Sequence, residues 1–343
     1  MTPPTSAVFG CSAEKLSDWE RGFFREVRPF GYIVFGRNIE TPDQLRRLTD
    51  ELRTASDDPD AVVLIDQEGG SVARLKRPEF RHPPAPRAFA DLYTTDPETA
   101  AEAAWLNARL MAEELRTVGV NVNCAPMVDI VTPRTHAFLQ SRALGLTPEA
   151  AGTLGQATAL GLRDGGVVPV LKHAPGHGRA TADSHHDLPI VDASLAELKA
   201  FDFRPFQDLI REPMMMIAHI IYKDLDATNP ATTSKTIIGD LIRREWGYNG
   251  LLITDDLNMK ALGGTMESRC RNALAAGMEI LCHCNGERPD MEAVAKAAVP
   301  LAGEALARAN RVRQLTKNEP KTFDRQAAIE RLESLSLYET PMS

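Results

Sequence analysis

No apolar run in the 343 residues approaches the roughly 18 consecutive apolar residues of a membrane-spanning helix, so no transmembrane span is expected. Net positive charge is also missing. The 47 acidic residues outnumber 39 basic ones and leave −8. Such a chain has no global electrostatic reason to seek nucleic acid or an anionic membrane. Residues Met1 to Ala13 lack a basic stretch and a long apolar core, so no secretory signal is expected. Ala7-Val8-Phe9-Gly10-Cys11 echoes a lipoprotein cleavage site, but the apolar stretch before it is too short. Cysteine is scarce and odd in number: five, at positions 11, 124, 270, 282 and 284. That pattern suits a reduced, cytoplasmic setting better than a disulfide framework. Cys282-His283-Cys284 has no second pair at metal-finger spacing and reads as a buried strand with free thiols, so no metal is expected. No G-x-G-x-x-G follows an early strand and no G-x-x-x-x-G-K-[ST] occurs, which removes the usual signatures of nucleotide binding.

What the chain does have is strand and helix in repeated alternation. Strand-like apolar runs stand at 31–35, 61–65, 120–128, 167–171, 213–218, 250–253 and 278–282. Helix-forming stretches lie between most of them, the clearest at 41–56, 97–118, 147–164, 194–211, 234–246 and 266–276. Thr41-Pro42-Asp43 and Ser194-Leu195-Ala196-Glu197 read as helix starts. The strand runs are continuous rather than alternating, as parallel strands covered on both faces require. At least seven such units predict a single (β/α)₈ barrel, with a doubly wound open sheet as the runner-up. Residues 1–316 are expected to form the barrel, and residues 317–343 a polar tail with one helix near 324–334.

The informative feature is how the apolar runs end. One closes on Asp66, one on Lys172-His173, one on His219 and one on Asp255-Asp256. In a parallel barrel the C-terminal strand ends open on one face, so these ionisable groups converge on one pocket. The densest polar segment runs from Lys172 to His186. His173 and His177 are four apart, but Pro175, Gly176 and Gly178 break the helix that a zinc-binding pair would need. A long, mobile, glycine-rich loop is expected instead. Asp183 and His185, two apart, face the same way if that segment is extended, and a carboxylate beside an imidazole fixes its tautomer and raises its basicity.

These residues carry a resemblance. Asp66-Gln67-Glu68-Gly69-Gly70, Lys172-His173 with Pro175-Gly176-His177-Gly178, Asp183-Ser184-His185, and Thr254-Asp255-Asp256-Leu257-Asn258-Met259 resemble glycoside hydrolase family 3. More closely they look like its bacterial cytosolic β-N-acetylglucosaminidases of peptidoglycan recycling. Phe35-Gly36-Arg37-Asn38, the stretch from Asn123 to Asp129, and Ala218-His219-Ile220-Ile221-Tyr222 with Asn229-Pro230-Ala231-Thr232 extend the likeness from about residue 6 to 285. The resemblance implies a retaining hydrolase on one barrel, needing no metal or organic cofactor. It implies Asp255 as nucleophile, His185 as general acid/base and Asp183 as its partner. It further implies Asp66, Arg74, Arg142, Lys172 and His173 as ligands of a terminal N-acetylglucosamine. The implied substrate is N-acetylglucosaminyl-1,6-anhydro-N-acetylmuramic acid with or without its stem peptide, met by a monomer with no nucleic-acid or membrane partner. Ser71, Ala174, Arg179-Ala180 and the Ser141–Gly145 stretch depart from the family's usual residues, and none of them removes a catalytic group. A phosphorylase on the same site and a non-catalytic amino-sugar-binding protein remain the alternatives. The first would release a sugar 1-phosphate, and the second should lack the nucleophile or the Asp-His pair.

Overall fold

Eight parallel strands close into a barrel in the computed structural model, which describes residues 2–180 and 188–338. In chain order the strands are β1 (Thr5–Gly10), β2 (Pro29–Val34), β3 (Val62–Ile65), β4 (Val122–Asn123), β5 (Val168–Ala174), β6 (Ile190–Val191), β7 (Met214–Ile217), β8 (Ile221–Tyr222), β9 (Leu251–Asp256) and β10 (Ile280–His283). β6 and β8 form a separate two-stranded sheet, and the other eight run round the barrel as β1-β2-β3-β4-β5-β7-β9-β10 and back to β1. The fold is therefore the (β/α)₈ barrel that the alternation predicts, not the open sheet.

The continuous apolar strands have two destinations. Val8, Ile33, Val62, Leu64, Val170, Met216, Ile253 and Cys282 fill the barrel interior. Their neighbours, among them Phe9, Val63, Ile65, Leu171, Met215 and Leu252, face the surrounding helices. This alternation of inside and outside is the period of two of a strand, and it also decides which strand-end side chains reach the mouth of the barrel. Helix starts are capped as their sequences suggest. The Thr41 hydroxyl accepts from the Gln44 N–H, with Pro42 in the first turn, and Ser17 and Ser194 form capping boxes with Glu20 and Glu197.

Several elements differ from the sequence expectation. The eighth barrel strand is β1, which falls in the segment that echoed a lipoprotein site. The run at 120–128 supplies only the short β4, because Pro126 brings no N–H to the ladder and the chain goes on through single irregular bonds to β5. The stretch 194–211 splits into helices Leu195–Ala200 and Arg204–Asp208, with Pro205 opening the second. The stretch 234–246 winds wider than an α-helix over Thr236–Glu245. Helix Arg325–Ser334 of the expected tail lies with Ala328 and Leu332 buried beside Phe89, Ala100, Ala103 and Ala104. Among the described residues no helix is long and apolar enough to cross a membrane.

Candidate active site

A cavity of about 550 Å³ opens at the C-terminal end of the barrel strands. Asp66, Arg74, Arg142, Lys172, His173 and Asp255 all line it, so the structure brings together the six described members of the eight expected site residues. Asp183 and His185 lie outside the described residues.

The cavity floor is a chain of buried charges. Lys172 ends the interior face of β5 with 2% exposure, and its Nζ stands 2.8 Å from Asp66 Oδ1 and 2.5 Å from Glu68 Oε1. Glu68 in turn accepts two bonds from Arg142, from Nε and from a terminal nitrogen, each at 2.8 Å. This planar pairing fixes the guanidinium in orientation as well as position. Arg74 reaches the other Asp66 oxygen at 3.3 Å and lies over the Phe35 ring, 5.4 Å from its centroid. Burial alone would raise the Asp66 and Glu68 carboxyls. The neighbouring Lys172 and arginine charges outweigh it, holding Asp66 well below the usual carboxylate range and Glu68 at about 2. Burial would likewise pull Lys172 and Arg142 down, but Asp66 and Glu68 hold the first above its ordinary value, and chiefly Glu68 does so for the second. Asp66, Glu68, Lys172 and Arg142 all stay charged, two anions against two cations.

His173 is fixed by a residue to which the sequence reading gave no role. The buried Asp129 carboxylate accepts its ring Nδ1–H at 2.7 Å and its backbone N–H, and it also accepts the His177 backbone N–H at 2.6 Å. Burial would raise Asp129, but the bond from His173 and its further interactions with His173 and His177 keep it below its ordinary value. The His177 ring stands edge-on to that of His173, with centroids 5.6 Å apart. Burial, with His173 adding to it, pushes His177 down to about 4 and keeps it neutral.

Asp255 and Asp256 end β9, and both line the cavity. Both reach the cavity although consecutive strand residues ordinarily face opposite ways, because they stand at the open end of the strand. Asp255 Oδ1 accepts the Asp256 N–H at 2.8 Å. Burial would raise Asp255, but His173, His219, that N–H and Lys172 together hold it below its ordinary value. Asp256 shifts the other way. Burial and the Asp255 charge push it to about 6, against the N–H groups of Asn258 and Cys284 that it accepts. His219 is a strand-end group but does not line the cavity. Its Nε2–H donates to the Asp256 carbonyl at 3.0 Å, its Nδ1 lies 2.7 Å from Thr232 Oγ1, and burial lowers it towards the neutral form. It braces the end of β9 through that carbonyl.

The expected mobile lead-in at 176–178 is instead tightly packed. A Cβ on Gly178 would sit 1.8 Å from the Ile130 carbonyl oxygen, and Gly176 has φ +142°. Here glycine serves close approach. Arg179, one of the departures from the family pattern, binds Asp202 at 2.7 Å. Glu68 and Asp129 are the contributors that sequence reasoning missed. Asp129 follows an apolar run as Asp66 and Asp255 do, so the strand-end rule would have found it. Glu68 stands two residues beyond Asp66, in the segment that follows β3.

Comparison with known proteins agrees with this geometry. Residues 27–315 match the family described as the glycosyl hydrolase family 3 N-terminal domain. A β-hexosaminidase of Alkalilimnicola ehrlichii is 38% identical over 282 residues, covering 81% of this chain and 80% of the relative. One of Bordetella avium is 32% identical over 295 residues, 85% of this chain and 83% of its own. The crystal structure of native NagZ from Neisseria gonorrhoeae superposes with a TM-score of 0.83 at 28% identity, over 98% of this chain and 95% of that one.

Proposed function

Because the chain belongs to glycosyl hydrolase family 3 and is a glycoside hydrolase, we propose that it is a retaining exo-β-N-acetylglucosaminidase of the cytosol. The proposed substrates are peptidoglycan-derived muropeptides carrying a terminal N-acetylglucosamine, as in N-acetylglucosaminyl-1,6-anhydro-N-acetylmuramic acid. One observation carries the reading. The ionised Asp255 carboxylate shares a cavity with Asp66, Arg74, Arg142 and Lys172, whose many donors and acceptors match sugar hydroxyls. N-acetylglucosamine specificity draws on the relatives: that NagZ has also been solved in complex with N-trifluoroacetyl-D-glucosamine.

In the proposed reaction a carboxylate oxygen of Asp255 attacks the anomeric carbon as its bond to the leaving oxygen breaks. Lys172, Asp66, Arg74, Arg142 and His173 hold the sugar against the nucleophile. His185, oriented by Asp183, gives a proton to the leaving oxygen. Water then gives its proton to His185 and its oxygen to the anomeric carbon, and the bond to Asp255 breaks. A single chain suffices, with residues 1–316 as the catalytic barrel and 317–343 as the tail.

The test is turnover of a chromogenic β-N-acetylglucosaminide against the matching β-glucoside, with and without phosphate. Preference for the acetamido sugar with release of the free β-anomer supports the reading. Equal rates on both sugars defeat the specificity, an inverted anomer defeats the mechanism, and sugar 1-phosphate would make the protein a phosphorylase.

A further inference from the structure

Two thiols line the sugar cavity, and the proposed reaction uses neither. Cys282 and Cys284 stand two apart at the end of β10 and both face the cavity, while His283 between them turns outward to Phe9. Their sulfurs are 3.7 Å apart. Cys282 is 1% exposed and Cys284 partly exposed. The Cys284 N–H donates to Asp256 Oδ1 at 3.2 Å, and Cys282 is paired with Asp256 across β9 and β10. The pair therefore adjoins the residue next to the nucleophile.

The sulfur separation discriminates between two chemistries. A disulfide requires about 2.05 Å. Oxidation and metal binding both need the thiolate, and both thiols are held protonated, so it is the spacing that separates the two chemistries. In Cys282 the bond to Cys284 acts downward but burial and Asp256 outweigh it, whereas Cys284 is raised by that bond, by burial and by Asp256. A zinc ion bonded to both sulfurs at about 2.3 Å with a near-tetrahedral angle places them about 3.8 Å apart, and larger d¹⁰ ions ask only a small further opening. The thiols already stand at that spacing. Among the described residues no three or more His, Cys, Asp or Glu side chains form a ready metal cage. This is an open, two-sulfur arrangement whose remaining coordination positions face the cavity.

We propose that Cys282 and Cys284 form a binding site for a thiophilic d¹⁰ cation of the cadmium, zinc or copper(I) class, and that its occupation blocks the sugar cavity. Binding is independent of the glycosidase reading; the blockage rests on it. Two sulfur–metal bonds form, two S–H bonds break, and both protons pass to solvent. Affinity therefore rises with pH, by up to about 100-fold per unit while both thiols remain protonated.

The test titrates cadmium ion into the full, reduced, metal-free chain. It follows the ultraviolet sulfur-to-cadmium charge-transfer absorption together with turnover of the chromogenic β-N-acetylglucosaminide. Absorption and inhibition should rise together and saturate at one equivalent. Cys282→Ser should lose the absorption and need at least tenfold more cadmium for half inhibition, relative to its own uninhibited rate. Cys270→Ser, altered in the helix Met266–Ala276, should match the parent. Should Cys282→Ser fail a circular-dichroism check of folding, Cys282→Val serves instead. A thiol-deficient variant that binds and is inhibited like the parent overturns the site. Absorption with turnover undiminished overturns the blockage. Loss of turnover on every glycoside defeats the glycosidase reading alone, since the absorption still reports binding.

Discussion

The Asp129 carboxylate accepts the Nδ1–H of His173 at 2.7 Å and the backbone N–H of His177 at 2.6 Å, so one buried aspartate fixes both ends of the strand-to-loop turn. Asp129 lies at the end of the β4 segment, and the turn it holds follows β5, so two neighbouring barrel strands are tied together at the cavity rim. Asp129→Asn should keep the fold while releasing the imidazole tautomer. Each lost bond to the charged carboxylate is worth about 1.5–3 kcal/mol. We expect a lower midpoint in urea and a fall of about tenfold or more in kcat/KM, with an altered pH profile. Unchanged kinetics and an unchanged profile would leave Asp129 as a structural brace only.

Glu68 is the shared acceptor of Arg142 and Lys172, so its removal should unbalance the whole floor of the cavity. Glu68→Gln leaves two buried cations with Asp66 as their main counter-charge. Breaking a buried pair on one side typically costs about 3–5 kcal/mol, which chemical denaturation would read directly. The pH dependence has a defined sign. Folding depresses Glu68 to about 2 and Asp66 also falls. Their stabilisation is therefore complete above the unfolded carboxylate values of about 4 and is lost as pH falls through the folded ones. The parent should lose stability from about pH 4 downward, more steeply than Glu68→Gln. Parallel slopes for the two proteins would contradict the assigned coupling.

Asp255 and Asp256 are adjacent, and folding moves their carboxyls in opposite directions. Such a split assigns different roles to two like groups. Asp255, held ionised, should be labelled by a slow 2-fluoro glycoside, and Asp255→Asn should abolish both label and turnover. Folding raises Asp256 to about 6, so its contribution to stability is present below the unfolded value near ~3.9 and is lost as pH rises through about 6. Asp256→Asn keeps an oxygen to accept the Asn258 and Cys284 N–H groups, and should flatten this part of the stability–pH curve. Label found on Asp256 would reverse the assignment.

The barrel was legible in the sequence because parallel strands covered on both faces must be apolar throughout, and because ionisable groups stand at their ends. Asp66, Lys172-His173 and Asp255 are found by that rule alone. β1 was not legible, since six residues with no preceding helix resemble any short apolar leader. Nor was the shortness of β4, whose long apolar run conceals that Pro126 interrupts the ladder. The packed state of Gly176–Gly178 was also hidden. Local sequence reports glycine's conformational freedom, whereas the Ile130 carbonyl that demands its lack of a side chain lies more than forty residues away. Glu68 and Asp129 escaped because their function is to hold other site residues, and only the folded chain identifies what they hold.

Asp183 and His185 are proposed to act as one acid/base unit, and leaving-group chemistry tests this without reference to their placement. A sugar leaving group is a poor acid and needs a proton as its bond to the anomeric carbon breaks. A nitrophenolate needs almost none. His185→Ala should therefore lose about 10²–10⁴-fold on the natural disaccharide and much less on the nitrophenyl glycoside. For the latter, loss of base catalysis in the second step should make the glycosyl–Asp255 ester accumulate, giving a burst of nitrophenol followed by a slow steady rate. Asp183→Asn should follow the same pattern more mildly, because the imidazole remains but is less basic and less well oriented. His177 is the rival, since it lines the cavity. Folding lowers it to about 4, so at neutral pH it holds no extra proton to give. If His177→Ala shows the leaving-group dependence and His185→Ala does not, the acid is His177 and the Asp183–His185 assignment is wrong.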